Sequence, residues 1–174
     1  MTKEELSVLL ESWDNLPLVI STIETQQQNY KILMGIALYS ADANSWRAAY
    51  IVDKIHEKNP DYILPYVNKI TEQLKVENHA GKKRHFLKQI SLCPISSKHY
   101  GFLFEYCLNA LGSAKERAAV RVHAMQILFN ISEKEPELKP EILALIEHEM
   151  EYHSTAGIIS RGRKLANKLR KQIS

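Results

Sequence analysis

Two stretches decide the architecture: AAYIVDKIHEKNPDYILP at residues 48–65 and AMQILFNISEKEPELKP at residues 124–140. Each runs from a small residue through alternating apolar positions into Glu-Lys-x-Pro, as Glu57-Lys58-Asn59-Pro60 and Glu133-Lys134-Glu135-Pro136. The two motifs lie 76 residues apart, twice 38, and a step of 38 returns residues of one kind. Ala48, Phe86, Ala124 and Gly162 form one column; Val52, Ile90, Leu128 and Ala166 a second; Ile55, Cys93, Ile131 and Leu169 a third. Within each repeat these positions are spaced by 4 and then 3, the apolar stripe of an amphipathic helix. None of the twelve is charged. A non-repeating bundle gives no reason for such columns; a repeat does.

A second set of helices falls between the first. Residues 62–74 carry Ile63, Val67, Ile70 and Leu74; residues 100–111 carry Leu103, Phe104, Cys107 and Leu111; residues 138–150 carry Ile142, Leu145, Ile146 and Met150. Residues 28–39 fit as an earlier member, through Ile32, Ile36 and Tyr39. Pro60 and Pro136 end one helix, while Pro65 and Pro140 fall near the first turn of the next, where proline is tolerated. The chain of 174 residues thus reads as one all-α domain, residues 1–174. Helix pairs are expected over about 28–58, 61–93, 98–133 and 137–172, behind an N-terminal cap at 1–26. A single pair cannot bury both of its apolar faces, so neighbouring pairs must stack.

Composition narrows the classes of function. Apolar residues make up 45% and charged residues 25%, a globular balance. No apolar run approaches the ~18 residues that span a bilayer, and the first residues carry acids rather than a signal core. A cytoplasmic location with no membrane partner is expected. Cys93 and Cys107 are the two cysteines, lie outside any CxxC pair and read as small core hydrophobes. No phosphate-cradling glycine loop, GxSxG elbow or Cys–His nucleophile pattern is present, so neither enzyme nor cofactor is expected. His148-Glu149-Met150-Glu151-Tyr152-His153 is H-E-x-x-x-H; on a continuous helix its two histidines point about 140° apart, so no metal site is expected.

Charge is unevenly spread. Net charge is +3, yet residues 157–174 hold six basic residues and no acid. Residues 78–104 are also free of acids, whereas residues 133–151 hold seven glutamates. The basic helix at the C-terminus is expected to lie beside the Glu-rich helix before it and to cancel part of its charge.

The helix openings Ser45-Trp46-Arg47-Ala48-Ala49 and Val120-Arg121-Val122-His123-Ala124 resemble the V-R-x-x-A-A opening of the second helix in HEAT and armadillo-like repeats. The resemblance covers residues 28–172, with a period slightly under the ~40–47 usual for such repeats. It implies an α/α superhelix, a right-handed solenoid whose second helices line a concave groove. In HEAT repeats a turn aspartate often pairs with that arginine. Here only Asp42 stands suitably, before Arg47; Ala80, Ala118 and Ala156 occupy the matching places. The chain also resembles small bacterial HEAT-like proteins, some carrying an adenylosuccinate lyase label. That enzyme's SSxMPxKxN loop is not matched by Ser96-Ser97-Lys98-His99.

The column before the small residues is Arg47, His85, His123 and Arg161. Positions three and seven later share its face: Tyr50, Lys88, Gln126 and Lys164, then Lys54, Leu92, Asn130 and Lys168. Six of the twelve are Lys or Arg and none is acidic. Cations in a first turn oppose the helix dipole by ~0.3–1 kcal/mol each, so their recurrence asks for a use. One use is hydrogen bonding between repeats. The other is a basic groove formed by Arg47, Tyr50, Lys54, His85, Lys88, His123, Arg161, Lys164 and Lys168. Such a groove suits a protein or acidic peptide, giving a non-enzymatic scaffold. The alternative is nucleic-acid backbone binding by the same groove, distantly similar to HEAT-like DNA glycosylases, whose site needs an Asp among aromatics. The stripe itself supplies no carboxylate; Asp53 and Glu57, one turn apart, read as a solvated face. Trp46 reads as a packing residue between repeats.

Overall fold

The computed structural model describes residues 1–153 and 155–173. Among them are ten α-helices and no strand. They are α1 (Lys3–Leu9), α2 (Leu16–Thr25), α3 (Gln28–Tyr39), α4 (Ser45–Lys58), α5 (Val67–Leu74), α6 (Ala80–Ser91), α7 (Tyr100–Gly112), α8 (Ala118–Ser132), α9 (Lys139–Tyr152) and α10 (Ala156–Ile173). The class is all-α, and the helices come in consecutive pairs.

Local chemistry sets the helix starts. Thr2 and Glu5 form a capping box on α1: Glu5 N–H donates to Thr2 Oγ1 at 3.2 Å, and Thr2 N–H donates to Glu5 Oε2 at 2.8 Å. Prolines enter at first turns. Pro17 opens α2, and Pro140 opens α9. Pro60 and Pro136 start the 3₁₀ turns Pro60–Tyr66 and Pro136–Leu138, which lead into α5 and α9. The turn Ser97–His99 does the same for α7 without a proline.

Two compact units are present, Met1–Gln89 and Ile90–Ser174, divided within α6. In the first, α1 packs on α3 and α3 on α5, while α2 packs on α4. The first helices of successive pairs thus lie against one another, and the N-terminal cap is itself a pair that packs like those after it. In the second unit α7 packs on α8, α9 on α10, and α8 on α10, again second helix on second helix.

All twelve column positions are buried. Ala48, Val52, Ile55 and Phe86 belong to the core of the first unit; Ile90, Cys93, Ala124, Leu128, Ile131, Gly162, Ala166 and Leu169 to that of the second. Full burial of each Val, Ile, Leu or Phe contributes about 1.5–3 kcal/mol. The small members of the first column allow close approach. A Cβ on Gly162 would lie 2.6 Å from Met150 Sδ and 2.7 Å from Met150 Cγ, so α10 approaches α9 closely enough that a larger residue requires Met150 to move.

Candidate functional site

The basic positions fall into three physical groups. The first caps helix ends. Arg47, the third residue of α4, donates through Nη1 to Leu10 O at 2.7 Å and Glu11 O at 2.6 Å, where α1 finishes. Lys82, the third residue of α6, donates from Nζ to Ser40 O at 2.7 Å, the carbonyl that ends α3. Arg121, the fourth residue of α8, donates from Nε to Leu111 O at 2.8 Å, in the last turn of α7. Each places a cation at the negative end of another helix, worth ~0.3–1 kcal/mol and up to ~2 where partly buried. That gain offsets the unfavourable position in the cation's own first turn. Desolvation pulls the Lys82 ammonium below its ordinary value, partly countered by Glu77 at 3.7 Å.

The aspartate ladder implied by the family pattern is replaced by this arrangement. Asp42 accepts from Ser40 Oγ at 2.6 Å, and Arg47 reaches the carbonyls instead. Arg47 also lies over Trp13 at 5.1 Å and near Trp46 at 5.9 Å, and Trp13 meets Trp46 and Tyr50 edge-on at 5.4 and 5.2 Å. Trp46 therefore packs against the N-terminal pair.

The second group surrounds Asp53, which the sequence assigns to a solvated face. The assignment fails: Asp53 is only 3% exposed. His85, 4% exposed, brings Nδ1 to Asp53 Oδ2 at 2.5 Å; an ionised carboxylate only accepts, so Nδ1 carries the proton. Gln89 Nε2 donates to Asp53 Oδ1 at 3.0 Å and to Ala49 O at 3.1 Å. Lys88 Nζ lies 3.4 Å from Asp53 Oδ2 and 3.6 Å from Glu57 Oε1, and Lys54 pairs with Glu57 at 3.2 Å. A buried carboxylate persists only when paired and hydrogen-bonded, and Asp53 satisfies both conditions. One turn separates Asp53 from Glu57, but α6 packs against α4 on the Asp53 side and turns it inward. Tyr50 meets the His85 ring edge-on at 5.7 Å, and Lys54 Nζ lies 5.8 Å from the Tyr50 ring centre. In the first unit, then, the basic stripe holds its own acids, and both oxygens of the Asp53 carboxylate are already engaged.

The third group remains open. On α10, Arg161, Lys164 and Lys168 share one face. Arg161 Nη1 donates to Gln126 Oε1 at 2.6 Å; Gln126 Nε2 donates to Asn130 Oδ1 at 2.8 Å; Asn130 Nδ2 donates to Ser91 O at 2.9 Å. Lys168 Nζ lies 5.6 Å from the Phe129 ring centre, and Lys164 is exposed. None of the three cations is ion-paired among the described residues. His123 is half-buried on α8. The opposite face of α10 meets α9, where Arg170 Nη2 pairs with Glu147 Oε1 at 2.5 Å. Charge cancellation between these helices thus uses Arg170 and leaves the α8-facing cations out of it.

The sequence overlooks one polar centre. Arg121 Nη2 donates to Glu149 Oε2 at 2.5 Å and Nη1 to His153 O at 3.2 Å, while His153 Nδ1 meets the same Glu149 oxygen at 3.1 Å. Its signal is Arg121 itself, the motif arginine, 28 residues before a glutamate on an otherwise apolar face of α9. The angular argument against His148 and His153 also fails. α9 ends at Tyr152, and His153 adopts φ −131° and ψ 39°, so the rotation of a continuous helix does not apply to it. Potential ligand atoms of His148, Glu149 and His153 lie within 4.8 Å of one another.

A family model described as a HEAT repeat domain matches residues 2–169. The chain belongs to the HEAT repeat domain family. HEAT repeats generally serve as protein-interaction scaffolds. No curated protein and no solved structure matches the chain. The match begins in the N-terminal pair, in keeping with the way α1 and α2 pack on the helices that follow. No helix of this HEAT repeat chain is long and apolar enough, among the described residues, to cross a membrane. Both cysteines are buried free thiols; burial pushes the Cys93 thiol up to about 11 and Cys107 further, which leaves neither as a thiolate nucleophile at neutral pH.

Proposed function

We propose that this HEAT repeat chain is a non-catalytic scaffold that binds a protein or peptide carrying an acidic segment, and that the face of α8 and α10 is its contact surface. The observation that carries the reading is the set Arg161, Lys164 and Lys168 on one side of α10, with Arg161 held against Gln126, Lys168 near Phe129, and no acid paired to the three among the described residues. Arg161 is oriented by a hydrogen-bond chain through Gln126 and Asn130 to Ser91 O, so its guanidinium loses less freedom when it meets a carboxylate. The groove candidates narrow accordingly. Arg47 and His85 act inside the fold, and Tyr50, Lys54 and Lys88 flank a neutralised carboxylate. Arg161, Lys164, Lys168 and His123 form the binding set. A cytoplasmic location belongs to the same proposal, since two reduced buried cysteines suit a reducing compartment.

The test compares wild-type protein with the variant Arg161→Glu, Lys164→Glu, Lys168→Glu, using a labelled Glu/Asp-rich peptide and a random-sequence DNA duplex in anisotropy titrations. Peptide binding that weakens at least tenfold in the variant supports the scaffold reading. Equal peptide affinity for both proteins removes the surface. Duplex binding with a log–log salt slope of about −3, lost in the variant, would instead assign the surface to nucleic-acid backbone.

A further inference from the structure

We infer that His148, Glu149 and His153 form a binding site for one late first-row divalent cation of the zinc type. One ligand atom from each lies within 4.8 Å of the others. Around such an ion at 2.0–2.2 Å, tetrahedral ligands stand about 3.3–3.6 Å apart. The remaining closure of about 1.3 Å falls to the two histidines, which are exposed and turn without disturbing the core. Glu149, 2% exposed, is the fixed member. Its Oε2 is held by Arg121 Nη2 and faces His153 Nδ1, while its Oε1 has no hydrogen-bond partner among the described residues. A carboxylate held in place by an arginine, with two imidazoles close to it, is a preorganised ligand with its outer support already built.

Charge and ligand type select the ion. Arg121 neutralises much of the carboxylate charge, which disfavours magnesium and calcium, ions that rely on several anionic oxygens. Two imidazoles and one oxygen suit zinc, nickel or copper(II). The place adds to this: α9 ends at Tyr152, so the negative end of its dipole points toward the three side chains. With three protein ligands, the fourth position falls to water or a partner's side chain. Because Arg121 also holds Leu111 O and His153 O, the ion would tie the end of α9 to the end of α7.

The test uses the full chain, freed of metal by chelation, titrated calorimetrically with Zn²⁺ and, for its visible ligand-field bands, with Co²⁺. The expected result is one ion per chain, a Co²⁺ spectrum of low-coordinate intensity and a melting temperature that rises with Zn²⁺. His148→Ala and His153→Ala should each weaken binding by at least tenfold, and the double variant should remove it. Both replaced side chains are exposed, so circular dichroism should show unchanged helix. The inference is overturned by equal binding in wild type and double variant, which would place the ion on other histidines, or by no Zn²⁺ binding in the wild type.

Discussion

All three nitrogens of the Arg121 guanidinium donate: Nε to Leu111 O, Nη1 to His153 O and Nη2 to Glu149. The side chain is buried, and so is its partner carboxylate. Replacing a buried pair by apolar residues can be nearly neutral, but removing one member leaves the other charge alone in a poor solvent. Arg121→Ala should therefore cost about 3–5 kcal/mol in urea denaturation. Arg121→Met with Glu149→Leu should recover most of that loss. Arg121→Lys should not, because an ammonium cannot serve three acceptors spread along a planar fork. Equal stability of the alanine and double variants would mean that the lost packing, not the stranded carboxylate, sets the cost. Reading the sequence could not reach this centre. It saw Arg121 as a family motif and Glu149 as one of seven glutamates; only the placement of α9 beside the end of α7 brings them together.

At the level of helices, the contact between α9 and α10 is close at Gly162, where a Cβ would meet Met150 Sδ and Cγ at 2.6 and 2.7 Å and Ile146 Cγ2 at 3.4 Å. The first two atoms belong to a flexible side chain that can swing aside. Gly162→Ala should thus be nearly neutral, displacement of Met150 being offset by up to ~1 kcal/mol of helix propensity. Gly162→Val adds branched bulk that Met150 alone cannot clear, and should cost about 1–3 kcal/mol. Thermal melts would check both, and Met150→Ala should partly restore the valine variant. This contact was legible in the sequence as a column: Ala48, Ala124 and Gly162 recur at one register, and each is buried where a neighbouring helix passes. Phe86 stands in the same column and is also buried, so the register marks burial more firmly than size. What the helical repeat concealed was the role of side chains at the edge of each apolar stripe. Asp53 sits one position from Val52, and whether an edge residue faces water or the next helix depends on crossing geometry that no single helix encodes. His153 was misread for a different reason: periodicity assumes the helix continues, and it stops one residue earlier.

Over the whole chain, alkaline stability follows from groups that stay protonated only in the fold. Burial pushes the Cys93 thiol from 9.0 up to about 11 and raises Cys107 further, and burial with Glu116 nearby pushes Tyr106 from 10.0 up to about 12. Between the unfolded and folded values the folded chain binds more protons than the unfolded one. Stability therefore falls as pH rises. The stabilisation is complete below about pH 9 and is lost progressively through about pH 11 and beyond. Lys82, shifted down, acts in the opposite sense. Urea midpoints at pH 8, 9 and 10 should decline in order, and Cys93→Ala should flatten the decline. A midpoint that rises over this range would show that Lys82 outweighs the three acids.

The basic caps of the first unit give the chain a direction of dependence. Arg47 closes α1 from the following pair, and Lys82 closes α3 from the pair after that. The first two hairpins are therefore finished by material that leaves the ribosome after them. A nascent fragment ending at residue 44 would expose the terminal carbonyls of α1 to water until α4 emerges. Synthesis and folding are thus coupled in one sense over the first two hairpins, each of which is sealed by an arginine or lysine made after it.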